Sequence, residues 1–201
     1  RDLHSFPTRR SSDLEIQLNQ TSFEVYKLNT TINATPIPQI AYGENEIINV
    51  TLDNRTIGYV AIIIDGRNFV EPIVNGTAQF NISGLSAKTY ENVTVFYRGD
   101  EHFNANSTNI SFTVGPRSDY NITVLANGIR YLENATVNVA LPGGSTGNVS
   151  IFIDGNFVGN VTLNENGVGT LFGISGLDGG MHEVNVTYEG NELYAPKDEN
   201  G

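Results

Sequence analysis

The 201-residue sequence has no cysteine, no tryptophan and a single methionine. Without cysteine there is no disulfide framework, no thiol nucleophile and no thiolate-held zinc. Basic residues are scarce: 11 Lys and Arg stand against 22 Asp and Glu, a formal net charge of −11. Such a chain repels phosphate backbones and anionic lipid, so nucleic acid and membrane surfaces are poor partners. No run of about eighteen apolar residues occurs, so no segment reads as a spanning helix. A 3.6-residue apolar period is also missing, which argues against a helical fold. Of the three histidines, His4, His102 and His182, none has a counterpart in a second copy of its surroundings. Neither a Ser-His-Asp arrangement nor a histidine metal site follows from them.

What the sequence does have is a repeat. Tyr59-Val60-Ala61-Ile62-Ile63-Ile64-Asp65-Gly66 returns as Asn148-Val149-Ser150-Ile151-Phe152-Ile153-Asp154-Gly155. Glu44-Asn45 and Glu133-Asn134 stand upstream of the two copies. Ile82-Ser83-Gly84-Leu85 and Ile174-Ser175-Gly176-Leu177 stand downstream. Val93–Asp100 is answered by Val184–Asn191. A period of about ninety residues suits one small domain rather than a solenoid turn. The β-branched run before Asp-Gly reads as a strand entering a type I′ hairpin. Period 2 places Val60, Ile62 and Ile64 on one inward face, with Val149, Ile151 and Ile153 equivalent. Ile63 and Phe152 are apolar on the other face, so this strand is expected to be central or covered on both sides.

Arg1–Leu14, RDLHSFPTRRSSDL, match an in-frame translation of a common short-read sequencing adapter and are set aside as non-native. Without them 8 Lys and Arg face 20 Asp and Glu, a net of −12. Residues 15–28 read as the tail of a preceding module, because Ser22-Phe23-Glu24-Val25 aligns with Ser111-Phe112-Thr113-Val114. A full module is expected over 29–115, with strands at Thr31–Thr35, Glu46–Thr51, Tyr59–Ile64, Phe69–Val74, Thr77–Ile82, Glu91–Tyr97 and Thr108–Val114. Gly115–Asp119 links it to a second module over 116–201. Strands there are expected at Asn121–Ala126, Thr136–Leu141, Asn148–Ile153, Phe157–Leu163, Gly167–Ile174 and Glu183–Tyr188, with the final strand lacking. Short strands parted by Gly, Asn, Asp and Pro turns predict an all-β chain of tandem immunoglobulin-like β-sandwiches.

The repeated Val-x-Ile-x-Ile-Asp-Gly, Ile-Ser-Gly-Leu and Val-x-Val-x-Tyr-x-Gly-Asp/Asn motifs resemble the group 3 type of bacterial and archaeal Ig-like repeats. They are similar in particular to those of adhesin-like surface proteins of methanogens. The resemblance implies an extracellular or cell-surface location, a spacer role, neighbouring repeats of the same chain as partners, and no catalytic residue or cofactor.

Fifteen Asn-x-Ser/Thr triplets occur, among them Asn49, Asn81, Asn92, Asn148 and Asn185. Strand alternation produces such triplets, because Asn-Val-Thr flanks one inward valine with two outward polar residues. N-glycosylation of a surface chain produces them too. Asn92 and Asn185 lie opposite the inward valines, so their amides are expected to meet solvent. A glycan- or protein-binding face is the alternative to a spacer, with Phe152, Phe96 and Tyr59 as outward aromatics. Arg98-Gly99-Asp100 spells an integrin-type tripeptide, yet Glu189-Gly190-Asn191 holds the same place in the second copy. The shared Gly-Asx is a turn signal. Glu44, Glu133, Asp100 and Glu101 are acidic at loop ends, without the Asp-x-Asp-x-Asp spacing of a calcium loop. Lys27 and Lys88 are too sparsely placed to argue for an internal lysine–asparagine crosslink.

Overall fold

The computed structural model describes residues 21–200, so the expectation for Arg1–Leu14 lies outside the described residues. All regular structure among these residues is β. The first unit contains β1 (Asn33–Thr35), β2 (Gln39–Ala41), β3 (Glu46–Thr51), β4 (Tyr59–Ile64), β5 (Arg67–Pro72), β6 (Thr77–Ile82), β7 (Lys88–Tyr97) and β8 (Asn106–Gly115). The second contains β9 (Thr123–Ala126), β10 (Ala135–Ala140), β11 (Asn148–Ile153), β12 (Asn156–Thr162), β13 (Val168–Ile174), β14 (Val184–Tyr188) and β15 (Lys197–Asn200).

Each unit is a sandwich of two sheets. In the first, β1-β3-β6 faces β2-β8-β7-β4-β5; in the second, β13-β10-β9 faces β12-β11-β14-β15. Two separate cores result, one around Ile48, Ile62, Phe80, Val95 and Tyr97, the other around Val137, Ile151, Val186 and Tyr188. The strands β4 and β11 coincide with the predicted ones, as do their inward faces: Val60, Ile62, Ile64, Val149, Ile151 and Ile153 are all buried.

The hairpins follow from the turn residues. Asp65 and Gly66 both have positive φ, 49° and 76°, and Asp154 and Gly155 repeat this at 49° and 77°. Two left-handed residues make the tight turn whose twist matches the flanking strands. Ile64 therefore pairs with Arg67, and Ile153 with Asn156. This moves the start of β5 to Arg67, ahead of the expected Phe69, because a two-residue turn leaves no room for an unpaired stretch.

β4 is central, between β7 and β5, as expected, and Ile63 on its outer face is 50% exposed. Two expectations are corrected. The short β2 was not anticipated; three residues after Pro38 pair in parallel with the end of β8, too few to show a period. The final strand of the second unit is not lacking. β15 pairs antiparallel with β14 from Tyr188↔Lys197 to Asn185↔Asn200, as Tyr97↔Asn106 and Thr94↔Asn109 do in the first unit. Its polar Lys-Asp-Glu-Asn sequence carries no strand signal of its own, so the backbone ladder alone places it.

Candidate functional site: outer sheet face and surface asparagines

Polar groups at the loop ends are consumed by the fold. In the first unit the Asp100 carboxylate accepts hydrogen bonds from the backbone N–H of Ile57 at 3.0 Å and of His102 and Phe103 at 2.7 Å each. Burial pushes this carboxyl up, but the hydrogen bonds, that from Ile57 first, outweigh it and hold it far below the usual carboxylate range. Gly99 has φ +84°, and a Cβ there would lie 2.8 Å from the Phe103 carbonyl. In the second unit Asn191 Oδ1 accepts from Leu193 and Tyr194 N–H at 2.9 Å, while its Nδ2 donates to the Gly144 carbonyl at 2.8 Å. Gly190 has φ +85° and the same crowding. The Arg-Gly-Asp tripeptide is thus a loop-building element whose acid is already occupied.

The other acidic residues do not converge either. Glu44 accepts from Ala41 N–H and Glu133 from Arg130 N–H, each at 2.8 Å, closing the same turn in the two units. Among the described residues no group of three His, Asp or Glu could hold a metal ion.

His182 does have a partner, contrary to its isolated look in the sequence. Its Nδ1 is 2.6 Å from Asp154 Oδ2 and its Nε2 is 2.9 Å from the Asp178 carbonyl. The equivalent pair in the first unit is Lys88 Nζ on Asp65 Oδ1 at 2.8 Å. In both units a basic side chain at the start of β7 or just ahead of β14 clamps the Asp-Gly hairpin. The match was hidden because different residue types fill the role. The depression beside Lys88, lined also by Tyr90 and Asn92, holds about 250 Å³, small for a ligand pocket.

The expected aromatic patch is divided. Tyr59, Ala61 and Ile63 alternate along the outer face of β4, and Ala61 pairs with Val70 on one side and Phe96 on the other. Tyr59 is 63% exposed and Val70 48%, so this face carries an apolar stripe in the first unit. Phe152 sits on the outer face of the other unit and packs edge-to-face on Phe157, ring centroids 5.7 Å apart. Its neighbours there are polar: Thr162 donates to Asn148 Oδ1 at 2.8 Å and Ser150 to Asn160 Oδ1 at 2.9 Å. Phe96 and Tyr59 share a face; Phe152 does not join them.

Fourteen of the fifteen triplet asparagines fall within the described residues, and thirteen of these are exposed. Asn49, Asn81, Asn92 and Asn148 are among them; Asn92 sits at φ 55° in the β-bulge of β7. Asn185 departs from expectation. It is half-buried with its Oδ1 fully covered, because it lies between Phe152 of β11 and Asn200 of β15 in the ladder. The sequence places it outward correctly but does not show how close its neighbours come.

No family model and no curated protein matches the chain. Among solved structures it is similar to trypsin-activated alpha-2-macroglobulin from Escherichia coli, at 15% identity and a TM-score of 0.31, covering 89% of this chain and 16% of that one. It is also similar to Salmonella alpha-2-macroglobulin reacted with methylamine, at 14% identity and a TM-score of 0.32, covering 92% and 15%. The chain spans about one sixth of the length of these structures.

Proposed function

We propose that these tandem Ig-like modules are structural spacers of an adhesin-like cell-surface protein, of the bacterial and archaeal group 3 type. One observation carries the reading: each unit grips the residue that enters it in the same way. Leu28 forms a parallel bridge to Phe103 ahead of the first unit, and Arg117 forms one to Tyr194 ahead of the second. Arg117 N–H donates to the Leu193 carbonyl at 2.8 Å and Ala195 N–H to the Arg117 carbonyl at 2.9 Å. Tyr42 of the first unit meets Tyr194 of the second edge-to-face at 6.1 Å. A link held on both sides resists bending, which is what a stalk requires. The exposed triplet asparagines and the acidic surface agree with an extracellular, solvated chain. Small-angle scattering of the 201-residue chain tests the idea. An extended particle about two modules long is expected; a broad distribution of bent shapes overturns it.

A second reading rests on the Tyr59–Ile63–Val70–Phe96 stripe, which the polar outer face of the second unit lacks. Flat aromatic and aliphatic surface of this kind suits a glycan or protein partner. Binding to a panel of surface glycans that is lost in Tyr59→Ser would favour it.

A further inference from the structure

The outer face of the first unit's larger sheet is apolar and, in a chain this acidic, free of acids at its centre. One row across it runs Val70, Ala61, Phe96 and Ser107, through the pairs Ala61↔Val70, Ala61↔Phe96 and Phe96↔Ser107. Two residues further along stand Ile63, Thr94 and Asn109, with Thr94 paired to Asn109. Neither row holds a carboxylate. Tyr59, Ile63 and Val70 are exposed, while Ala61 between them is buried. Its short side chain leaves the stripe open and shallow, and exposed apolar surface of this kind invites association unless something covers it.

Asn109 stands at the rim of that face and is placed to carry the cover. Asn109-Ile110-Ser111 is one of the Asn-x-Ser/Thr triplets, and both Asn109 and Ser111 are exposed. Thr94 Oγ1 donates to Asn109 Oδ1 at 2.9 Å. The amide is thereby held by its oxygen, and Nδ2, the atom that takes a sugar, has no partner among the described residues. At this level β8 is an edge among the described residues, since β2 pairs with Thr113–Gly115 alone, so a transferase can approach. Phe96 is the diagonal neighbour of Asn109 across the ladder, about 7–8 Å away, and Ala61 lies one strand spacing of about 4.8 Å beyond it. The Arg98 guanidinium, 6.0 Å from the centre of the Phe96 ring, offers donors for hydroxyl groups there. The second unit repeats the theme: Ser150 holds Asn160 and Thr162 holds Asn148, each by Oδ1, on the face that carries Phe152.

We propose that Asn109 bears an N-linked glycan whose first saccharides fold back across Phe96 and Ala61 toward Tyr59 and cover the stripe. Sugar rings present C–H faces that pack on aromatic and aliphatic side chains, while their hydroxyls stay in water. A neutral saccharide suits a face without carboxylates. The Thr94 bond removes rotational freedom from the amide, so the sugar starts from one fixed position. The inference rests on the cell-surface reading, which puts the chain where sugars are transferred. It makes the stripe a surface that the chain closes for itself, in place of a site for an outside partner.

The test is the 201-residue chain secreted from yeast, whose N-linked glycans are neutral mannose chains. Peptide mass spectrometry is expected to find Asn109 occupied. Hydroxyl-radical footprinting is expected to show Tyr59, Val70 and Phe96 protected, and enzymatic removal of the glycans to raise their labelling. Asn109→Gln is expected to raise it equally. So is Ser111→Ala, which ends the triplet and leaves the Thr94 bond in place. Asn49→Gln, on β3 of the opposite sheet, is expected to leave the labelling unchanged. An unoccupied Asn109, unchanged labelling in Ser111→Ala, an equal rise in Asn49→Gln, or protection that needs an added free glycan or a higher chain concentration each overturns the proposal. None of these results changes the particle length by which scattering judges the spacer reading.

Discussion

The imidazole of His182 bridges two acceptors, Asp154 Oδ2 at 2.6 Å and the Asp178 carbonyl at 2.9 Å. Both ring nitrogens must donate to satisfy both contacts, which requires the imidazolium. The Asp154 carboxylate, and after it the Asp178 carbonyl, raise the histidine above its ordinary value of 6.5. A raised histidine contributes stability that is fully present below its unfolded value and lost as pH rises through the folded one. The second unit is therefore expected to loosen from about pH 6.5 upward. Hydrogen exchange of the β11 and β14 amides measures this, and His182→Gln should remove the slope.

Glu46 gives the first unit a pH dependence of its own. It is wholly buried; Ile37 N–H donates to Oε1 at 2.6 Å, and Oε2 has no partner among the described residues. Burial raises this carboxyl more than the Ile37 bond lowers it. A raised carboxyl in the fold stabilises below its ordinary value of 4.5 and costs stability as pH rises beyond it. Protection of the β3 amides should fall as pH rises beyond 4.5 in the native chain and stay level in Glu46→Gln. The second unit has Ala135 at this position, so its amides should lack this loss and show only the later one that His182 governs.

Asp100→Ala strands three N–H groups that the carboxylate satisfies. Phe103 is the buried one of the three, and leaving its N–H unmet costs about 1–3 kcal/mol. Gly99→Ala should cost more than about 1 kcal/mol, because its φ is positive and the added Cβ meets the Phe103 carbonyl. Urea titration of either variant is expected to lower the midpoint of the first unit's transition. No change in cell attachment is expected from them beyond that loss of fold.

The triplet asparagines should not be equivalent in a glycosylating host. Sugar transfer needs the side-chain nitrogen. Asn49 and Asn148 engage only Oδ1, with Gln79 at 2.7 Å and Thr162 at 2.8 Å. Asn106 instead commits Nδ2 to the Thr30 carbonyl at 2.6 Å. Peptide mass spectrometry should find higher occupancy at Asn49 and Asn148 than at Asn106, with half-buried Asn185 the least modified.

The repeat and the Asp-Gly turns made most of the fold legible. A two-residue turn with positive φ fixes the register of β4 on β5, and the register fixes which of Ile62 and Ile63 is buried. What could not be read was set by contacts distant in sequence. β2 exists because β8 offers it a parallel ladder, and β15 because β14 offers an antiparallel one; neither has a pattern of its own. The clamp on the hairpin was illegible because Lys88 and His182 are different side chains doing one job. Phe152, Phe96 and Tyr59 all read as outward aromatics, but Phe152 lies on the face of a separate unit.

The parallel pairing of β2 with β8 has a mechanical side. Gln39, Ile40 and Ala41 belong to the entering end of the first unit, and Thr113, Val114 and Gly115 to its leaving end. Tension applied through the chain pulls these two strands in opposite directions along their own axes. Their hydrogen bonds are then loaded together, in shear, instead of opening one after another like a zip. Under a pulling force the first module is therefore a stiff link, which holds its length until the whole ladder parts at once.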